Sequence, residues 1–232
     1  MNNAYCEHDI TLASFAQIDR EVGAHNFSDD EYAVVRRIIH TTADFEFKQL
    51  VNFSHQPFRA ATTAFLQQLP IITDVSMVAE GIRTVTSKTW RSPISVAVKQ
   101  INSVPLGQTR SALGMQQCAN KYPDAIFVIG NAPTALLTLC EGIRSGRYHP
   151  SLVVGAPVGF INVIESKQAL IDLAIPSIVV TGRKGGSAVA AAIVNALMIG
   201  AWNGGSMDAI DKLSGNRLSD EERPDRSLTI SS

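Results

Sequence analysis

Three short apolar runs give the second half of the chain its rhythm: residues 125–129, 152–154 and Ser177–Val180. Each is rich in Val and Ile and shows no polar alternation, the pattern of a strand covered on both faces of a parallel sheet. A Gly-containing loop and a stretch of helical character follow each run, over Pro133–Arg144, 161–173 and 187–199. The runs begin about 26 residues apart, which suits consecutive βαβ units with right-handed crossovers. Ile71-Ile72-Thr73 and residues 94–98 read as two further strands. In the first half, Ser28-Asp29-Asp30-Glu31 forms a capping box ahead of Tyr32, Val35, Ile38 and Ile39 at helical spacing. A helix is therefore expected from about Asp29 to about His40. Another is expected around residues 45–52, and a third from Pro57, a favoured first helical residue, to a point before Pro70. The pattern predicts an α/β fold: a single doubly wound domain over residues 1–203, with a mainly parallel sheet flanked by helices.

Two stretches depart from this rhythm. Residues 187–202 (SAVAAAIVNALMIGAW) are apolar nearly all round, whereas a helix with one wet face shows its period. Complete burial within the chain explains this, and so does an outer face that meets a second subunit. Residues 204–232 carry no aromatic side chain and are dominated by mixed charge; a short helix at 207–213 followed by a disordered polar tail is expected there.

Composition narrows the function. Over 232 residues, 20 Lys and Arg stand against 21 Asp and Glu, a net charge of -1, which argues against a nucleic-acid partner. With 45% apolar and 18% charged residues the chain can bury a core. Cys6, Cys118 and Cys140 are far apart and form no CxxC pair, so neither a disulfide framework nor a zinc site is expected, and no metal is called for. The first residues lack a signal-peptide pattern, and no uncharged apolar stretch reaches a membrane-spanning length of about 18 residues. The expectation is a soluble cytoplasmic protein without membrane contact.

In an open parallel sheet, ligands bind beyond the carboxyl ends of the strands. Three small-residue loops belong to that edge: Gly130-Asn131-Ala-Pro-Thr134, Gly155-Ala-Pro-Val-Gly159 and Gly182-Arg183-Lys184-Gly185-Gly186-Ser187. One alone reads as a tight turn. Three together, one carrying Arg183 and Lys184, point to an anionic ligand. Nucleotide motifs are missing: Lys184 precedes its glycine pair instead of following a Walker loop, and no GxGxxG follows a strand. There is no GxSxG elbow and no HExxH. Among five histidines His40 stands apart, at a helix end with hydroxyls and acids close by, where an imidazole suits proton transfer; a capping bond is the plainer role for it.

Eight motifs occur in order between about Ala13 and about Leu197: Ala13-Ser14-Phe15, Ile39-His40-Thr-Thr-Ala-Asp-Phe45, Ile71-Ile-Thr-Asp74, Thr109-Arg110-Ser111, Ile129-Gly-Asn-Ala-Pro-Thr-Ala-Leu136, Gly155-Ala-Pro-Val-Gly-Phe160, Glu165-Ser-Lys167 and Gly182-Arg-Lys-Gly-Gly-Ser187. In this order and spacing the chain resembles the precorrin-8X methylmutases (precorrin isomerases) of cobalamin biosynthesis. The resemblance implies a cofactor-free isomerase that moves a methyl group from C-11 to C-12 of a corrin-type macrocycle. Its product would be hydrogenobyrinate, or cobyrinate where the substrate carries cobalt. The resemblance also implies that His40 is the catalytic proton donor and acceptor, that Ser14 contacts substrate, and that the protein is a homodimer holding the tetrapyrrole near the subunit interface. It favours the second-subunit explanation for residues 187–202.

The substrate's acetate and propionate groups call for cations, and Arg110, Lys167, Arg183 and Lys184 are the candidates. Thr109, Ser111, Asn131, Thr134, Gly185 and Gly186 complete the expected substrate site. The segment between residue 98 and Thr109 is shorter than the family pattern and lacks its Ser-Asp-Pro, so one pocket wall is expected to differ. A second class of function is a non-catalytic carrier of a corrinoid intermediate. Such a carrier needs the loops and cations but not His40.

Overall fold

The computed structural model describes residues 5–204. Its strands are β1 (Val51–Phe53), β2 (Ile71–Thr73), β3 (Ile94–Val96), β4 (Ile126–Ile129), β5 (Leu152–Gly155) and β6 (Ser177–Val180). They form one sheet in the order β1-β6-β5-β4-β2-β3. Every neighbouring pair is parallel except β1, which runs antiparallel to β6 at the edge. All residues of β2, β4, β5 and β6 are buried, which is why these runs lack polar alternation.

Alternate side chains feed two cores. Ile126, Val128, Val154 and Ile178 face a layer of α2 (Asp29–Thr42), α4 (Pro57–Leu66), α5 (Ser76–Lys88) and α9 (Ser187–Trp202). Phe127, Ile129, Val153 and Val179 face α6 (Arg110–Lys121), α7 (Pro133–Arg144) and α8 (Val163–Ile171). A third, smaller cluster joins Phe15, Ile18 and Val22 of α1 (Asp9–Val22) to Val35 and Ile39 of α2.

The expected doubly wound domain is present, with three differences in detail. The helix expected over 45–52 shrinks to α3 (Phe47–Leu50), because Val51, Asn52 and Phe53 pair with Val180, Val179 and Ile178 and extend the sheet. Sheet hydrogen bonding to β6 suits Val and Phe better than another helical turn. Helices α1, α5 and α6 had no sequence assignment, although Phe15, Ile18 and Val22 fall at helical spacing. Helix α9 lies among α2, α4 and α5 over the sheet, and all its apolar side chains but Ala188 and the half-buried Trp202 are buried within the chain. Its apolar surround therefore reflects burial inside the monomer, not an outer face kept for a second subunit. The helix expected at 207–213 and the tail lie outside the described residues.

Candidate active site

The parallel strands all end at one edge, and the antiparallel β1 begins there, with Val51 beside Val180. The segment from the end of α2 through α3 is thereby delivered to the carboxyl edge of β6. Thr181 fastens it: both its amide and its hydroxyl donate to the Leu50 carbonyl, at 2.8 and 2.9 Å.

His40 occupies the last turn of α2 and is exposed. Its ring and that of Phe15 meet edge to face, with centroids 5.3 Å apart at 75°. Among the described residues no hydrogen bond engages the imidazole. Arg36, one turn earlier on the same face, stacks over Phe15 at 4.5 Å and pairs with Asp19 at 3.1 Å. Arg37 likewise pairs with Glu7. Both guanidiniums beside the histidine are thus neutralised by the protein's own carboxylates. Ser14, next to Phe15 on α1, donates its hydroxyl to the Ile10 carbonyl at 2.9 Å and keeps its oxygen lone pairs for another donor.

Past α2, Ala43 adopts the left-handed conformation (φ 53°) and turns Asp44 and Glu46 towards the loop after β6. Lys184 meets both, at 2.6 Å from Asp44 Oδ2 and 2.7 Å from Glu46 Oε2. The hydrogen bond from Lys184 holds the Asp44 carboxyl below its ordinary range, and that same bond raises the lysine above its own. Lys167, on α8, lies buried beneath the loop and donates to the carbonyls of Gly182 at 2.8 Å and Lys184 at 2.7 Å. Burial pushes its amine down to about 8.

The loops after β5 and β6 pack backbone to backbone. The Gly186 amide donates to Ala156 O at 2.8 Å, and Gly185 (φ 155°) rests against the Ala156 and Pro157 carbonyls, where a Cβ would collide. Arg183 is exposed, its guanidinium 5.7 Å from the ring of Phe160, a side chain that is itself 82% exposed.

A second group gathers where strand order reverses. The chain leaves β2 towards β3 on one side and leaves β4 towards β5 on the other, so the β2/β4 boundary is the switch point of the sheet. Asp74, the residue after β2, fills it. Its carboxylate accepts from the amides of Gly130 (3.0 Å), Asn131 (2.8 Å), Ala132 (2.8 Å) and Val75 (3.0 Å). Burial pushes this carboxyl up, against the pull of those four donors. The loop expected to take an anionic ligand through its amides therefore already has one, supplied by the protein.

Around it, Thr109 caps α6 and its hydroxyl lies 2.9 Å from that of Thr134. The pair borders a cleft of about 380 Å³ between α6 and α7, walled by Leu113, Leu137, Gln116 and Glu141. Arg110 donates to the Ile101 carbonyl at 3.0 Å and is otherwise exposed, as is Asn131; Ser111 is half-buried.

The expected residues thus fall into two groups: Lys167, Arg183, Lys184, Gly185 and Gly186 at the β6 loop, joined through Asp44 and Glu46 to the end of α2 with His40 and its α1 neighbour Ser14, and Thr109, Arg110, Ser111, Asn131 and Thr134 by the switch point. From β6 to β4 is two strand spacings, about 10 Å, a span that one large ligand lying on the edge can bridge. From sequence alone Asp74 has no role and Asp44 is only a neighbour of His40. An aspartate directly after a strand, ahead of a Gly-Asn-Ala loop in a doubly wound pattern, was the available signal.

The sequence profile of the precorrin-8X methylmutases matches residues 9–199. A cobalt-precorrin-8 methylmutase of Synechocystis sp. is 47% identical over 213 residues, covering 86% of this chain and 98% of that protein. A precorrin-8X methylmutase of Sinorhizobium sp. is 34% identical over 193 residues, covering 79% and 90%. Among solved structures, precorrin-8X methylmutase from Thermus thermophilus superposes with a TM-score of 0.78 at 39% identity, covering 85% of this chain and 97% of that one.

Proposed function

The chain belongs to the precorrin-8X methylmutase family, and from that premise we propose that His40 supplies and recovers the proton of its reaction. The protein is a methylmutase of cobalamin biosynthesis, which moves a methyl group from C-11 to C-12 of a corrin-type ring. The methyl leaves C-11 with its bonding pair and joins C-12 as the ring double bonds shift. A proton lent by the imidazolium to a ring nitrogen makes the π-system electron-poor and lowers the barrier; it returns to His40 when the product forms, so nothing is consumed. The observation that carries this role is the exposed imidazole without a hydrogen-bond partner among the described residues, at the end of α2 and four positions before the Asp44 that meets Lys184 of the β6 loop.

Substrate recognition follows from the same edge. Arg183 and Arg110 face solvent with guanidinium groups that suit ring carboxylates, and the Gly185–Gly186 backbone, Ser14, Asn131, Thr109, Ser111 and Thr134 offer neutral hydrogen bonds. Holding the ring in its reactive geometry accounts for much of the rate. Higher identity to the cobalt-precorrin-8 relative supports a cobalt-bearing substrate and cobyrinate as product. We also infer a homodimer, supported by the exposed Phe160 and Ile161 beside the site, and a cytoplasmic location, supported by the absence of any described helix long and apolar enough to cross a membrane. The names of the relatives lend nothing to the carrier alternative.

The test is His40→Ala with cobalt-precorrin-8 and with precorrin-8X, followed by visible absorption. Turnover should fall by roughly 10²–10⁴-fold while product still binds. Turnover within about tenfold of the unaltered protein would place the proton elsewhere. Light scattering at twice the chain mass checks the dimer.

A further inference from the structure

Resting on the reading of His40 as the proton carrier, we propose that Lys184 is a positioning residue for that histidine and not a receptor for substrate carboxylates. Its ammonium touches two carboxylates of the segment that follows α2, Asp44 at 2.6 Å and Glu46 at 2.7 Å. One positive and two negative charges leave this cluster at -1, which repels an acidic macrocycle. To take a ring carboxylate, Lys184 would first have to give up a charge-assisted bond it already makes.

The same contacts do define a position. Asp44 follows His40 by four positions, and Ala43 caps the helix in a left-handed turn, so a clamp on Asp44 and Glu46 acts on the last turn of α2. The other end of the clamp is itself held. Lys167 grips the loop from below at the carbonyls of Gly182 and of Lys184, and Gly185 and Gly186 seat it on Ala156. A continuous series of contacts thus runs from α8 through the β6 loop to the end of the helix that carries His40. Of the loop's two side-chain cations, Arg183 forms no ion pair among the described residues and is left as the one that faces ligand.

The two roles for Lys184 separate in steady-state kinetics with cobalt-precorrin-8. As a positioning residue, Lys184→Met lowers kcat by about 10- to 100-fold with KM changed less than about threefold, since small misplacement of a catalytic group is costly in rate. Lys184→Arg, which can still bridge both carboxylates, restores most of kcat. The double variant Asp44→Asn, Glu46→Gln reproduces the loss, and adding Lys184→Met to it costs nothing more. If KM instead rises and grows with salt, while the carboxylate double variant keeps kcat or binds substrate more tightly, Lys184 is a substrate receptor and the proposal is wrong. Should Lys184→Met fail to fold, the carboxylate double variant alone decides, because it changes half-exposed and exposed side chains. His40→Ala keeps the two readings apart. An active His40→Ala overturns the proton assignment; an inactive one alongside an unimpaired Lys184→Met overturns only the clamp.

Discussion

The N-termini of α7 and α9 lie at the same edge of the sheet, each approached by a loop of small residues, yet they are completed in opposite ways. Ahead of α7, the amides of Gly130, Asn131 and Ala132 converge on Asp74, so the protein supplies the anion itself. Ahead of α9, the cap is Gly186 and no side chain caps the helix; the loop is braced from beneath by Lys167 and from the side by Lys184. The first arrangement closes the switch point with a buried charge. The second fixes the backbone and places no side chain of the fold on the helix N-terminus. Amide-rich loops at a sheet edge are therefore not equivalent as binding sites; what decides is whether a side chain of the fold already occupies them.

The strongest way to break the contrast is Asp74→Ala, which leaves four amides without an acceptor, those of Gly130 and Ala132 buried. Unfolding in urea should show a loss of about 3–5 kcal/mol, and a loss below about 1 kcal/mol would mean that water or a rearranged loop replaces the carboxylate. Next comes Lys167, whose amine is lowered to about 8 from an ordinary value near 10.5. The folded state releases this proton before the unfolded state does, so the cost of burying the charge is present in full below about pH 8 and is relieved as pH rises. The stability difference between the unaltered protein and Lys167→Met should shift in favour of lysine by up to about 3 kcal/mol between about pH 7.5 and 10.5. A flat difference would show that the loop carbonyls fully offset the burial.

Gly185→Ala probes how closely the two loops are packed. Alanine is strained at φ 155° and its Cβ meets two carbonyls, so the loop must shift. A stability loss of about 1–3 kcal/mol is expected, with a drop in kcat from the same displacement; wild-type behaviour would show that the close backbone seat is dispensable. The smallest effect belongs to Arg183→Ala. A surface ion pair with one ring carboxylate is worth about 1 kcal/mol, so product affinity should weaken roughly fivefold at low salt. The deficit should fade as salt screens the contact. An unchanged affinity and salt dependence would remove Arg183 from recognition.

The strands that carry the site were legible because burial on both faces leaves a plain apolar run, and Ser177–Val180 coincides with β6 to the residue. Helix α2 was legible from its capping box, whose two reciprocal bonds are formed. The place of His40 at the end of that helix was legible with it. By contrast, Val51 and Asn52 were read as helix because their strand character comes from pairing with Val179 and Val180, partners more than a hundred residues away. The nearly uniform apolar surface of residues 187–202 could not say what covers it; packing among α2, α4 and α5 did.

Sequence by itself determined the class of fold, the carboxyl-edge loops and the series of motifs, since each depends on local periodicity, on turn chemistry or on residues close together in the chain. Only the tertiary structure decided which charges are free. Lys184 and Arg183 are adjacent and look alike in sequence, but one is paired with Asp44 and Glu46 from the far end of another helix and the other is not. Lys167 reads in sequence as a cation for a ring carboxylate and is in fact buried against loop carbonyls, its ammonium turned to the fold. Whether a charge can meet a ligand depends on its neighbours in space, and those are set by how the α2 segment, α8 and the β6 loop are brought together at one edge of the sheet.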